Sequence, residues 1–138
     1  MRDQPSGGCA ATATAQKGKK PLITVPDCEP PKTLQKVDVI VGTGAELKAG
    51  QTATLHYVGV SWSTKKQFDS SWDRGEPFPS QIPGELIVGW NEGVPGMKVG
   101  GRRLLTIPPD KGYGDRGAGA DIKPGETLVF AIDLVSAK

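Results

Sequence analysis

From residue 33 onward the chain alternates apolar and polar positions in short runs, the period of a strand with one buried face. Val37, Val39 and Val41 alternate before the turn Gly42-Thr43-Gly44. Gln51 to Val60 repeats the pattern, with Ala53, Leu55 and Tyr57 against Thr52, Thr54, His56 and Val58. Arg102 to Ile107 predicts another strand. Thr127 to Val135 predicts the strongest, with Leu128, Phe130, Ile132 and Leu134 on one face and Asp133 on the other. Ala49-Gly50 and Pro124-Gly125 predict turns ahead of two of these strands.

The period changes once. Between Glu85 and Met97, the residues Leu86, Ile87, Trp90, Val94 and Met97 fall at helical spacings. Gly89 and Gly93 each cost such a helix about 1 kcal/mol relative to Ala, and Pro95 should end it. A helix this short holds only by packing its apolar face on a sheet. The predicted class is therefore α+β: a curled antiparallel sheet of five or six strands around one short helix.

Residues 1–31 show no period and end in Pro26, Pro30 and Pro31. They carry too little apolar surface to offset their ordering entropy, so they are expected to form a flexible tail. Residues 32–138 are then one domain. Both cysteines, Cys9 and Cys28, fall in the tail. Two unremarkable thiols and a disulfide formed in an oxidising compartment both fit them. Ser6-Gly7-Gly8 ahead of Cys9 leaves an extracytoplasmic or lipid-anchored origin open, should a signal segment have been removed. As written, the chain reads as cytoplasmic, with no apolar run near the ~20 residues a membrane span needs.

Composition sharpens this picture. The 138 residues include 19 glycines and 12 prolines, which favours short strands joined by tight turns. A formal net charge of +2, with lysines and arginines scattered, gives no basic stripe for nucleic acid. The chain has one histidine, His56, and nothing places a serine or cysteine beside it and an acid behind it, as a nucleophilic triad requires. His, Cys and carboxylate residues nowhere fall at metal-ligand spacing. No metal and no cofactor is expected. What remains is aromatic: His56-Tyr57-Val58-Gly59, Phe68-Asp69-Ser70-Ser71, Gly89-Trp90, Tyr113-Gly114 and Leu128-Val129-Phe130, with the single carboxylate Asp69 among them. Such a set suits rotation of a bond better than its cleavage.

In this order and spacing, these segments resemble the FKBP family, the tacrolimus- and rapamycin-binding peptidyl-prolyl isomerases. So do Gly89-Trp90-Asn91-Glu92-Gly93-Val94, Gly96-Met97-Lys98-Val99-Gly100 and Thr127-Leu128-Val129-Phe130. The match runs from about Asp38 to Val135, and the turn variants are similar to small actinobacterial members. The resemblance implies a pocket between helix and sheet. Its catalytic residues would be Tyr57, Asp69, Trp90, Tyr113 and Phe130, with Trp90 as floor. Substrate would also meet Phe68, Phe78, Leu86, Ile87 and Ile122, and Arg74 would steady Asp69. The Ile87 N–H and the Tyr113 hydroxyl would hold ligand carbonyls. The implied partners are proline-containing polypeptides and macrolide inhibitors, and the implied state is a monomer. The alternative function is a macrolide- or partner-binding module with incidental turnover. Departures from the family pattern are one extra residue between Gly59 and Phe68, Ser80 at a wall position, and Ala118 and Asp121 in the loop after Tyr113. These bear on macrolide affinity and substrate choice.

Overall fold

The structure, a computed structural model, describes residues 9–138. Two short strands, β1 (Thr12–Ala13) and β2 (Ile23–Thr24), pair as an antiparallel hairpin. Six more strands make one antiparallel sheet: β3 (Gln35–Ile40), β4 (Thr52–Ser61), β5 (Gln67–Ser70), β6 (Phe78–Gln81), β7 (Arg102–Ile107) and β8 (Leu128–Ala137). Its order is β3-β7-β8-β4-β5, and β6 pairs with β4 beside β5. Strand β4 is the spine: β8 runs along one side of it, while β5 and β6 share the other. A one-turn helix, α1 (Ser71–Arg74), joins β5 to β6.

The main core lies between one sheet face and helix α2 (Val88–Gly93). There Leu55, Tyr57, Leu105, Phe130 and Ile132 meet Trp90 and Val94. The two helical glycines permit this approach: a Cβ at Gly89 would lie 2.6 Å from Ile107, and one at Gly93 would lie 2.7 Å from Leu105. Helix α2 is shorter than the predicted Glu85–Met97. Its first turn is replaced by a loop that Asn91 holds, accepting from the Gly84 N–H and donating to the Gly84 and Leu86 carbonyls. At the other end Arg103 of β7 donates to the carbonyls of Gly93 and Pro95, groups that a helix terminus leaves without partners.

Residues 9–31 depart from the expected flexible tail. Cys9 and Cys28 are joined by a disulfide, and the hairpin between them packs on the sheet face opposite α2. Ala11 and Val25 are buried there in a cluster with Val58, Val60, Trp62, Leu104, Val129 and Ala131. The anchor is Arg102, with no exposed surface. It forms a two-pronged ion pair with Asp133 and donates to the carbonyls of Thr14, Gln16 and Lys19. The Trp62 indole N–H donates to the Cys28 carbonyl. A segment without its own apolar period thus gains order from polar groups of a strand more than 80 residues away. Residues 1–8 of the expected tail, including Ser6-Gly7-Gly8, lie outside the described residues.

Candidate active site

The cleft opens at one end of the α2 core and encloses about 370 Å³. Each lining element has a local cause. Alternation along β4 turns Tyr57 toward α2 and His56 to the other face. Opposite it, β8 brings Phe130 across from Gly59. Gly59 matters because a Cβ there would lie 2.7 Å from both the Phe68 and Phe130 rings. Its absence lets these rings meet at 5.5 Å, nearly perpendicular. Trp90 stands edge-on to Tyr57 at 5.1 Å and to Phe130 at 5.2 Å. Phe78 meets Tyr57 and Trp90 in the same manner. Edge-to-face contacts of this kind add roughly 0.5–1.5 kcal/mol per pair beyond area burial and fix ring orientation. The cleft is therefore walled by rings that brace one another.

Three polar side chains close one corner. The Tyr57 hydroxyl donates to Asp69 Oδ2 at 2.7 Å, and Arg74 donates to Asp69 Oδ1 and, at 2.7 Å, to the Tyr57 oxygen. The Ser70 N–H adds a further bond to Asp69 Oδ1 at 2.9 Å. Both carboxylate oxygens are thus engaged, and the guanidinium carbon lies 5.4 Å from the centre of the Tyr57 ring. Burial, and then the hydrogen bond to the Asp69 carboxylate, push the Tyr57 phenol above its ordinary pKa, so it remains a neutral donor. Arg74 reaches this corner because α1 is one turn long. Ser70 caps its start by accepting the Asp73 N–H, and Gly75, left-handed at φ 76°, ends it. The buried Ser71 hydroxyl accepts the Tyr57 N–H at 2.7 Å and ties the turn to β4.

Of the residues singled out from the sequence, Tyr57, Phe68, Asp69, Phe78, Leu86, Ile87, Trp90, Tyr113 and Phe130 all line this one cleft. Arg74 stands behind Asp69 rather than in the lining. Ile122 lies outside the lining and is buried in the core, where its backbone bridges to Ala118. Glu85 lines the rim and was missed, since a charged loop residue carries no periodic signal. The Ile87 N–H makes no hydrogen bond to a described residue, and Tyr113 stands half-exposed at the mouth. His56 is on the far face, stacked on Trp72 at 4.2 Å, and shares a hydrogen bond with the Ser71 hydroxyl. Among the described residues no cluster of three metal-binding side chains occurs, and no helix is long and apolar enough to cross a membrane.

A curled antiparallel sheet, one short helix laid across it by glycines, and an aromatic cleft with an engaged Asp69 define the class. The chain belongs to the FKBP-type peptidyl-prolyl cis-trans isomerase family, whose model matches residues 44–135. It is 52% identical over 120 residues to an FK506-binding protein of Streptomyces anulatus, covering 86% of this chain and 97% of that one. It is 54% identical over 119 residues to a probable FK506-binding protein of Corynebacterium glutamicum, covering 86% and 99%. Among solved structures it is similar to AtFKBP13, with a TM-score of 0.71 and 40% identity over 80% of this chain and all of that one. FkpA from Escherichia coli follows, with a TM-score of 0.69 and 38% identity over 76% of this chain and 48% of that one.

Proposed function

We propose that this cleft accelerates rotation about X-Pro bonds in polypeptides during protein folding, as a monomer, and that tacrolimus or rapamycin blocks it. The observation that carries the reading is a ring-walled cleft in which the carboxylate of its polar corner, Asp69, has both oxygens engaged. Such a carboxylate is unsuited to attack a bond or to shuttle a proton. An X-Pro bond needs neither. It favours trans by only ~0.5–1 kcal/mol but turns over in tens to hundreds of seconds, behind a barrier of about 18–20 kcal/mol from amide resonance.

At the twisted transition state the amide loses resonance and its carbonyl becomes less polar. A dry wall of Tyr57, Phe68, Trp90 and Phe130 disfavours the planar, polar amide more than the twisted one. The Ile87 N–H and the Tyr113 hydroxyl, on residues that line the cleft, are the groups we assign to holding the flanking carbonyls as they rotate. Both effects favour the transition state over the ground state, and only such differential binding raises the rate. The three CH₂ groups of a proline ring contribute roughly 2.4 kcal/mol at ~0.8 kcal/mol each, so short peptides are held weakly and released readily.

The test is cis-to-trans relaxation of an X-Pro peptide with an apolar residue before proline, with and without tacrolimus. Acceleration abolished by the macrolide is expected. In Asp69→Val, kcat/KM should fall. Stability should stay within ~1 kcal/mol, because the ion pair removed is half exposed. No acceleration at micromolar protein would overturn the isomerase reading. Acceleration that is indifferent to tacrolimus would overturn the inhibitor assignment alone.

A further inference from the structure

The hairpin of residues 9–28 lies outside the stretch that matches the family model, and the reaction described above uses none of it. Its docking is nonetheless fixed at many points. The disulfide closes its base, the Cys28 carbonyl accepts from Trp62, and Arg102 holds the carbonyls of Thr14, Gln16 and Lys19 at 2.7, 3.2 and 2.6 Å. The next residue is Lys20. Its ammonium reaches across to α1 and meets Asp73 Oδ1 at 2.7 Å, while Gln67 of β5 donates to Asp73 Oδ2 at 2.8 Å.

Asp73 adjoins Arg74, the residue that crosslinks Tyr57 and Asp69. Helix α1 is a single turn, too short to hold its own shape, so its orientation depends on what grips it. Its first residue, Ser71, is held by β4 through the Tyr57 N–H. On the outer side the grip is Lys20 and Gln67 on Asp73. Trp72, between them, packs against the same buried cluster that takes in Ala11 and Val25 of the hairpin. A continuous set of contacts therefore runs from the hairpin through α1 to the polar corner of the cleft. The Asp73 carboxylate is held below its usual pKa, foremost by the Lys20 hydrogen bond, so it is ionised when the site works.

We propose that Lys20, presented by the disulfide-closed hairpin, is a positioning residue of the isomerase site, holding Asp73 and so fixing the turn from which Arg74 reaches Tyr57 and Asp69. This rests on the isomerase reading. The pair is partly exposed, at 40% and 51% of side-chain surface, so the effect is graded rather than absolute.

The experiment measures kcat and KM for cis-to-trans isomerisation in the full chain and in Lys20→Gln, Lys20→Arg, Asp73→Asn and the Lys20→Gln/Asp73→Asn double variant. Side-chain NMR of Arg74 Nε–H and the Tyr57 hydroxyl is recorded on each. A fall in kcat/KM of about two- to threefold is expected in Lys20→Gln, carried by kcat. Lys20→Arg should restore it. The double variant should lose no more than the worse single, as for two residues acting through one contact. The Arg74 and Tyr57 resonances should move in Lys20→Gln and return in Lys20→Arg. Unchanged kcat/KM with unmoved resonances in Lys20→Gln overturns the proposal. So do additive losses in the double variant, or an equal loss in Lys20→Arg. A wild-type chain without isomerase activity refutes the isomerase reading instead, and the resonance shifts then decide the positioning contact.

Discussion

Arg102→Met tests what keeps the hairpin on the sheet. The side chain is fully buried and makes five hydrogen bonds: two to Asp133, and one each to the carbonyls of Thr14, Gln16 and Lys19. Methionine fills a similar volume but donates nothing. Asp133 is then left mostly buried without its partner, and its burial already holds its carboxyl above the usual pKa. Removing one partner of a buried pair costs about 3–5 kcal/mol. At roughly 3 °C per kcal/mol for a chain of this size, the melting temperature should fall by about 10–15 °C. Thermal unfolding followed by circular dichroism measures it. Hydrogen exchange at the hairpin amides should show protection lost there first. In Arg102→Met/Asp133→Leu, where no unpaired charge remains, part of the loss should return. A single variant that melts within about 3 °C of the wild type would show that the hairpin is held by its apolar contacts and disulfide, and that Arg102 contributes little.

Gly59→Ala should lower both stability, by about 1–3 kcal/mol for an overpacked site, and kcat/KM, because the new methyl would stand 2.7 Å from the Phe68 and Phe130 rings. Wild-type turnover with an unchanged melting point would mean that those rings yield freely. Burial lowers the His56 pKa below 6.5, with Asp133 opposing, so the imidazole is neutral above pH 6.5 in the fold. The unfolded chain binds the extra proton first as pH falls, so the His56 contribution to stability is full above pH 6.5 and is lost as pH drops toward the folded value. Turnover, by contrast, should be nearly flat from pH 6 to 8. A sigmoidal rate in that window, lost in His56→Gln, would make His56 a catalytic base.

Four of the six sheet strands were legible because their apolar positions recur with a countable period; β5 and β6 offered no such run and were not predicted. The Arg102–Ile107 strand has the predicted bounds, and β4 and β8 differ from theirs by one or two residues. Strand β8 was nevertheless misjudged on one face. Val129 and Ala131 are buried as fully as Phe130, because the hairpin covers them. That cover was legible only in part: a disulfide was one of two readings open for Cys9 and Cys28, but Arg102, which holds the hairpin, lies more than 80 residues away and leaves no mark on the hairpin's own pattern. The helix was placed around Trp90 but drawn too long, since Asn91 gives Gly84 and Leu86 better partners than a further helical turn would. The cleft aromatics were legible through the order of their motifs. Ile122 was not separable from the core by type, and Glu85 had no pattern to betray it.

Trimming this chain to the stretch that the family model matches, residues 44–135, would not yield a smaller version of the same molecule. The cut removes β3 and the hairpin together. Val58, Val60, Leu104, Val129 and Ala131 would turn to solvent as a continuous apolar surface beside a newly bared edge of β7. An uncovered apolar patch next to an unpaired strand is a template for self-association. The practical consequence falls on expression and storage: a version cut at the family boundary should precipitate or oligomerise, and its behaviour would be mistaken for that of the native protein.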